Sequence, residues 1–196
     1  MIVCLTGGIG SGKTSVSNMF FELGIPIYIS DIEARKLMES SKEIKKSIIN
    51  QFGKASYING KPNRKYLASI VFNDKKKLEL LNHIIHPQVA IHFKKWYAKQ
   101  KAHYVIKESA VLFESGGYQD CNKIILITAP EKERINRVMK RDNVTRKEVL
   151  IRIKNQWKDK EKRKYSNYII RNVDLEKTNF QVLRVHEELL KIGEIE

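Results

Sequence analysis

A glycine-rich segment close to the start of the chain constrains its fold and chemistry more than any other feature. Residues 7–14 read Gly-Gly-Ile-Gly-Ser-Gly-Lys-Thr, which satisfies the spacing G-x-x-x-x-G-K-[ST]. A short apolar run at 2–6 precedes this segment, and apolar residues recur at helical spacing from Val16 to Leu23 after it. A glycine-rich turn that merely precedes a lysine would need neither flanking element. The segment, which we call the P-loop, therefore predicts a phosphate-binding site between a strand and a helix.

The residue types of the P-loop each suit a task in binding a nucleotide. Glycines let successive backbone N–H groups turn toward phosphate oxygens, and the start of the following helix adds the positive end of its dipole. Lys13 is expected to reach the β- and γ-phosphates of ATP, and the hydroxyl of Thr14 is expected to be a ligand of Mg²⁺. The other P-loop positions predicted to bind ATP are Gly8, Gly10, Ser11, Gly12 and Ser15.

Strand patterns alternate with helix patterns over much of the chain. Strands are expected at 2–6, 26–30, 103–106, 123–129 and 168–170. Strands that alternate with helices argue for a parallel sheet covered on both faces. The predicted class is α/β, a three-layer sandwich around a parallel central sheet.

A long helical region interrupts this alternation. From residue 31 to about residue 100 the apolar positions are mostly helical in spacing, and Pro87 should mark a helix start or a kink. A charged helical stretch is expected from about 145 to 163. We therefore expect one domain, residues 1–196, in three parts. These are a core of 1–31 with 101–136 and 166–196, a helical substrate subdomain at 32–100, and a helical lid at 137–165.

Positive charge is concentrated in and next to the predicted lid. The net charge is +15, and residues 132–164 supply +9 of it, from 14 Lys/Arg against 5 Asp/Glu. Such a concentration could attract nucleic acid, an acidic membrane surface or a polyphosphate substrate. The composition therefore indicates an anionic ligand without choosing among these classes.

The apolar runs and the cysteines bear on the compartment in which the protein works. No run approaches the roughly 18 apolar residues of a membrane span, and Met1 leads into the first strand without a cationic leader, so no secretory signal is expected. Cys4 and Cys121 form neither a disulfide framework nor a metal motif, and the five histidines are scattered. We expect the two cysteines to be buried thiols in a reducing cytoplasm.

A phosphate-binding loop does not by itself separate a kinase from a GTPase or an ATP-driven motor. The chain has no Asn-Lys-x-Asp motif for guanine, and no apolar strand ends in the Asp-Glu pair that motors use. A small-molecule kinase needs an acidic group after its second strand and arginines over the transferring phosphoryl group. Asp31 follows the second strand. The candidate arginines are Arg134, Arg137, Arg141, Arg146 and Arg152.

Several separated motifs resemble those of the dephospho-CoA kinase family over nearly the whole chain. They are Thr6–Thr14 with its doubled glycine, Asp31-Ile-Glu-Ala-Arg35, His86-Pro87, Val111-Leu-Phe-Glu114, a lid pattern of Arg137, Arg141-Asp142, Arg152, Gln156 and Lys162, and Tyr168-Ile-Ile-Arg-Asn172. Their order and spacing are specific, although no short motif is specific alone. The resemblance implies a P-loop NTPase fold with a helical acceptor-binding subdomain and a helical lid.

The resemblance also implies a reaction and a set of partners. The reaction is transfer of the γ-phosphoryl group of ATP to the ribose 3′-hydroxyl of dephospho-CoA, the last step of coenzyme A synthesis. Dephospho-CoA is then the small-molecule partner, and neither nucleic acid nor a membrane is expected. The implied protein is a cytoplasmic monomer or weak homo-oligomer.

The family's functional residues map onto matching positions of this chain. Asp31 is carried over as the group that orients or deprotonates the 3′-hydroxyl, and it could also hold Mg²⁺ through water. Lys13 and Arg141 are the other expected catalytic residues, and Arg137 is expected to contact the nucleotide. The residues expected on the acceptor side are Asp31, Arg35, His86 and Glu114, the last of which could also lie beside the Mg²⁺.

Each acceptor-side role has a structural alternative. Asp31 could be the N-cap of a helix that starts at Ile32, and Arg35 could form an ion pair on a solvated helix face. The pair His86-Pro87 could mark a helix start, and Glu114 could form a cap or a salt bridge.

The chain departs from the family pattern at a few positions. The family usually has two aspartates one residue apart after the second strand, whereas Ile29 occupies the first of these places here. Ala110 stands where a proline is usual, and Asn167 and Arg171 stand where acidic residues are common. Asp31, which leads directly into the Ala-Arg motif, is the aspartate that we carry over as the catalytic group.

Three functions are compatible with the P-loop. The first is a dephospho-CoA kinase, and the second is another small-molecule kinase that acts on a nucleoside monophosphate or a metabolite. The third is a basic ATP-binding regulator or nucleic-acid-binding module, which would need aromatic residues among its lysines for base stacking. The basic region holds only Trp157, with Tyr165 just beyond it, so the acceptor-side motifs favour the first function.

Overall fold

The computed structural model describes residues 1–71 and 74–193. The chain forms two compact units, Met1–Ile29 with Gln100–Glu196, and Ser30–Lys99. We call the first the sheet unit and the second the helical unit. The division into three parts, with a separate lid at 137–165, stays a prediction.

The sheet unit contains a five-stranded parallel sheet, as the alternating sequence pattern predicts. Its strands lie in the order β2-β5-β1-β6-β7, so β1 is central and the P-loop leaves from the middle of the sheet. The strand predicted at 103–106 begins two residues later, and the one at 26–30 is shorter than expected. The bounds are β1 Ile2–Gly7, β2 Ile27–Ile29, β5 Val105–Glu108, β6 Lys123–Thr128 and β7 Tyr168–Arg171.

Apolar side chains cover both faces of this sheet because its central strands are buried on both sides. On one face Val3 and Leu5 of β1 pack with Phe20 of helix α1 (Lys13–Glu22) and Leu189 of helix α9 (Leu175–Gly193). On the other face Cys4 packs with Leu112, Phe113 and Ile124. The predicted layered α/β architecture is confirmed.

The cysteines contradict the expectation of two separate thiols. Cys4 and Cys121 form a disulfide, with their Cα atoms 5.7 Å apart. Cys4 lies in β1, and Cys121 lies just before β6, the strand that pairs with β1. The prediction was wrong because strand order, which cysteine spacing does not reveal, brings residues 117 positions apart within bonding distance.

The charged helical stretch predicted from about 145 to 163 is interrupted. Helix α6 (Glu131–Asp142) precedes it and begins directly after Pro130. Helix α7 (Arg146–Lys154) begins at a capping box formed by Thr145 and Glu148, and the four-residue helix α8 (Asp159–Lys162) follows after a break.

The helical unit consists of four helices and a small hairpin in its described part. Tyr57–Ile58 (β3) and Lys61–Pro62 (β4) pair antiparallel through Asn59 and Gly60, which have φ of 48° and 81°. The Asn-Gly pair is a strong hairpin signal that our reading of this region as helical missed. The helices are α2 Ser30–Ser40, α3 Lys42–Phe52, α4 Arg64–Val71 and α5 Lys75–Tyr97.

Pro87 was expected to mark a helix start or a kink, and because it lies inside α5, the first of these alternatives was wrong. The proline is exposed, while a stripe of apolar residues on the other side of the helix continues across it. Burial of that stripe offsets the backbone hydrogen bond that proline cannot make. The buried residues of the stripe are Leu81, Ile85, Val89 and Phe93.

Candidate active site

The P-loop connects the end of β1 at Gly7 to the start of α1 at Lys13. The Ser11 N–H donates to the Gly8 carbonyl at 3.0 Å, which tightens the loop. The Lys13 ammonium folds back over the loop and donates to the Gly7 carbonyl at 3.1 Å. The Thr14 side chain lies exposed in the first turn of α1. The loop therefore presents an ammonium and a hydroxyl at the positive end of a helix, where phosphate groups bind favourably.

Asn172 fixes the second half of the P-loop. It is 3% exposed and follows β7, and its Nδ2 donates to the Ser11 carbonyl at 2.9 Å. Its Oδ1 accepts from the Thr178 hydroxyl at 3.3 Å, and its own N–H donates to the Thr128 carbonyl at 2.8 Å. Gly12 has φ of +89°, and a Cβ there would overlap the Asn172 amide, so only glycine fits.

Asn172 is a site residue that the sequence analysis did not single out, since it entered only as part of the last-strand motif. Its position just past the end of a buried parallel strand was the available signal, because functional groups gather at that edge of a sheet. Several polar residues follow predicted strands, and which of them reaches the P-loop depends on the order of the strands in the sheet. The sequence pattern does not reveal that order.

Arg137 lies next to this support. Its Nη1 donates to the Asn172 carbonyl at 3.1 Å, and the side chain is half-buried on α6. The structure therefore brings Arg137 to the P-loop, as the predicted nucleotide contact requires. That contact itself stays a prediction.

Arg141 lies one turn further along α6, and a neighbouring carboxylate engages it. Its Nε and Nη2 donate to Asp142 at 2.7 and 3.1 Å, and Arg152 donates to the same carboxylate at 2.7 Å. The hydrogen bond from Arg141 holds the pKa of Asp142 below its usual value, and the same bond raises the pKa of Arg141. The Arg141 side chain is 64% exposed. To contact a phosphate, Arg141 has to exchange the Asp142 carboxylate for phosphate oxygens.

Glu114 forms a buried ion pair rather than an open ligand site. Its Oε1 accepts from the Trp157 N–H at 2.8 Å and lies 3.1 Å from Nζ of Lys162, whose side chain is fully buried. The alternative role of Glu114 in a salt bridge is therefore confirmed. This pair holds the segment around α8 against the chain that follows β5, because a buried Lys162 ammonium without an opposite charge is costly.

Glu108 is a second candidate that the sequence analysis missed. It is 6% exposed, ends β5 and is the register partner of Leu5 in β1, two residues before the P-loop begins. The signal was a single carboxylate at the end of an apolar strand, which our search for an Asp-Glu pair passed over.

Asp31, Arg35 and His86 all lie in the helical unit. Asp31 is exposed within the first turn of α2, which begins at Ser30, so the N-cap alternative was wrong. Arg35 is exposed on the same helix, and His86 is exposed on α5. Glu33 of α2 lies 4.0 Å from His92 of α5, and it also lies 2.7 Å from Lys36 within its own helix.

Two further properties of the described residues bear on function. Over residues 1–71 and 74–193, no three or more His, Cys, Asp or Glu side chains are grouped as they would be in a metal site. None of the helices in the same ranges combines the length and the apolar character that a membrane crossing needs.

A central parallel strand that ends in a P-loop, followed by a helix that begins at the loop lysine, defines a P-loop nucleotide-binding protein in fold and loop chemistry. A comparison with family models sharpens this class, because the model described as dephospho-CoA kinase matches residues 1–177. The chain belongs to the dephospho-CoA kinase family. That family carries out the ATP-dependent phosphorylation of dephospho-CoA in coenzyme A biosynthesis.

Curated relatives agree with this assignment over most of their length. The dephospho-CoA kinase of Bacteroides fragilis is 36% identical over 169 residues, which cover 86% of this chain and 82% of the relative. The dephospho-CoA kinase of Listeria monocytogenes is 37% identical over 193 residues, covering 95% and 96%.

The fold is shared with several solved structures, one of which is named a dephospho-CoA kinase. Dephospho-CoA kinase from Campylobacter jejuni has a TM-score of 0.70 at 28% identity and covers 97% of each chain. The protein TT1252 from Thermus thermophilus has a TM-score of 0.86 at 30% identity, with 96% of each chain covered. A shikimate kinase from Bacteroides thetaiotaomicron, at 17% identity and a TM-score of 0.52 over 96% of this chain and 98% of that one, shares the fold alone.

Proposed function

We propose that this protein transfers the γ-phosphoryl group of ATP to the ribose 3′-hydroxyl of dephospho-CoA, which yields CoA and ADP. The observation that carries the proposal is the P-loop, with Lys13 over it and Asn172 beneath it, in a chain that belongs to this family. Relatives that cover most of the chain are named for the same acceptor.

On the donor side, the P-loop binds the phosphates of ATP. Lys13 leaves the Gly7 carbonyl for the β- and γ-phosphates, where its charge is better matched. The backbone of Gly8, Gly10 and Gly12 shapes the cradle. Ser11 and Ser15 complete the positions that we assign to ATP.

Oxygen ligands for Mg²⁺ are available at this edge of the sheet. The Thr14 hydroxyl is exposed at the start of α1, and the buried Glu108 carboxylate ends the neighbouring strand β5. Hydroxyl and carboxylate oxygens are the donors that this hard cation takes, usually together with substrate phosphates. We assign Thr14 as its ligand and Glu108 as the nearby carboxylate. Mg²⁺, when bound, neutralises charge on the transferring phosphates.

On the acceptor side, Asp31 accepts the hydrogen bond of the 3′-hydroxyl and takes its proton. A carboxylate is ionised at neutral pH, and its exposed position in α2 lets a substrate approach it. Arg35 contacts acceptor phosphates, and His86 contributes to acceptor binding from α5. Ile29 leaves Asp31 as the only aspartate of the usual pair. Glu114, held by Lys162, supports the acceptor side by fixing the chain after β5.

The arginines of α6 complete the transfer site. Arg137 contacts the nucleotide from its place beside Asn172, and Arg141 neutralises the phosphoryl group in transfer after releasing Asp142. The segment 137–165 acts as a lid, which keeps water from consuming ATP.

We also propose that the protein acts in the cytoplasm, as a monomer or weak homo-oligomer. A cytoplasmic glutathione pool tends to reduce disulfides. Labelling of free thiols in intact cells would therefore report both the compartment and the redox state of Cys4 and Cys121.

The proposal is tested by a coupled assay of ADP release with ATP, Mg²⁺ and dephospho-CoA, with AMP and adenosine as control acceptors. We expect ADP release that depends on dephospho-CoA, is absent in Lys13→Met, and is unchanged in the exposed control Lys132→Met. Release that is equal for all acceptors, or independent of any acceptor, would overturn the proposal.

A further inference from the structure

Two successive peptide groups in the middle of the P-loop are held from outside the loop. The N–H of Ile9 donates to Oε1 of Gln156 at 2.8 Å, and the carbonyl of Ile9 accepts from Nε of Arg134 at 3.0 Å. Gln156 also donates from Nε2 to the Ala110 carbonyl at 3.2 Å. The backbone around Ile9 is thus tied to α6 and to the segment after α7.

Arg134 is packed directly against the loop. It is 7% exposed, and a Cβ at Gly8 would overlap its guanidinium group. A Cβ at Gly10, where φ is +77°, would overlap the Arg134 carbonyl. Gly8 and Gly10 therefore make room for this arginine as well as for the turn of the chain.

The charge of Arg134 has a partner in the segment 156–159, which we call the clasp. Nη1 of Arg134 lies 3.4 Å from Oδ2 of Asp159, the first residue of α8. The same clasp supplies Gln156 to the Ile9 N–H. Both contacts on Ile9 therefore depend on where the clasp lies.

The orientation of one phosphate-facing amide follows from this geometry. In a trans peptide the carbonyl and the N–H point in opposite directions, and the carbonyl of Ile9 shares its peptide plane with the N–H of Gly10. Because Arg134 holds that carbonyl on the α6 side, the Gly10 N–H is aimed away from α6. A buried guanidinium that donates to a carbonyl and a carboxylate at once is a rigid support for such a peptide.

We propose that Arg134, held by Asp159, is a positioning residue that fixes the Ile9–Gly10 peptide and so aims the Gly10 N–H at the phosphates of ATP. The proposal rests on the use of ATP by the P-loop and not on the identity of the acceptor. It predicts that the affinity for ATP depends on the position of the clasp, which follows helix α7 of the predicted lid.

The test measures the Kd of ATP by calorimetry without any acceptor, on the full chain. Arg134→Met should raise this Kd about tenfold or more, since a charge-assisted hydrogen bond to the loop is lost. Arg134→Lys, which keeps the charge, should recover part of the affinity. Arg184→Met, the same change at an exposed position on α9, should leave the Kd unchanged.

Asp159→Asn supplies a second test at a less buried position. It should raise the Kd of ATP about twofold to fivefold alone, and it should add nothing in the Arg134→Met background if the two residues act together. Steady-state kinetics should show a higher KM for ATP with an unchanged KM for dephospho-CoA, a separation that general loss of stability would not produce.

Arg134→Lys and Asp159→Asn variants that melt like the wild type and bind ATP within a factor of about two of it would overturn the proposal. So would equal increases in both KM values. A wild-type protein that binds ATP but does not phosphorylate dephospho-CoA would instead contradict the proposed function. In that case the Kd values of ATP for the wild type and the variants would still decide the role of Arg134.

Discussion

Replacing Asn172 by alanine removes the side chain that holds the P-loop from below. The buried Ser11 carbonyl would lose its 2.9 Å hydrogen bond, which costs about 1–3 kcal/mol when the carbonyl is left without a partner. The small void left by the amide adds about 1 kcal/mol. The two costs together are about 2–4 kcal/mol, and we therefore expect the free energy of unfolding to fall by about 3 kcal/mol.

Thermal unfolding converts this free energy into a measurable shift. For a chain of this size about 1 kcal/mol lowers the Tm by about 3 °C, so Asn172→Ala should melt about 9 °C below the wild type. The exposed Asn179, on α9, provides the matched control, and Asn179→Ala should melt within about 1 °C of the wild type.

Steady-state kinetics of Asn172→Ala test whether the hydrogen bond from Asn172 to the P-loop contributes to ATP binding. Asn172→Ala should raise the KM for ATP more than the KM for dephospho-CoA, because the hydrogen bond that it removes ends on the P-loop. A Tm equal to that of the control, together with an unchanged KM for ATP, would refute the assignment of Asn172 as the support of the loop.

Three further changes test other parts of the molecule. Breaking the disulfide by Cys121→Ser or by dithiothreitol should lower the free energy of unfolding, measured by urea unfolding. The loop-entropy model gives a loss of up to about 5 kcal/mol for a separation of 117 residues. Two free thiols in the untreated, denatured wild type would contradict the bond. Asp31→Asn should keep the Kd of ATP but lose most of kcat, and near-normal turnover would remove Asp31 from the catalytic residues. Arg141→Ala should lower kcat far more than it lowers ATP affinity, and an unchanged kcat would make Arg141 a surface residue.

The parts of the fold that depend on contiguous sequence were predictable. The P-loop, its preceding strand and its following helix are adjacent in the chain, so spacing and periodicity suffice to identify them. The parallel sheet followed from the alternation of strands and helices. The hairpin at Asn59-Gly60 was equally local, and its own dipeptide signal could have identified it.

The supports of the P-loop could not be predicted in the same way. Asn172 and Arg134 reach the loop across 161 and 125 positions of sequence, through an order of strands and helices that the alternation alone leaves open. The pairing of Cys4 with Cys121 has the same origin, since it requires β6 to lie beside β1. The prediction of a helix start at Pro87 failed for a different reason. The helix continues through the proline because a stripe of apolar residues on its other side is buried.

The central claim is that the phosphoryl group goes from ATP to the 3′-hydroxyl of dephospho-CoA. Phosphorus NMR of a reaction with ATP, Mg²⁺ and dephospho-CoA observes that bond directly. We predict a new phosphomonoester resonance that coincides with that of CoA and grows as ADP forms. ADP without a new phosphomonoester, or a phosphomonoester at any position other than the 3′-oxygen, would contradict the account.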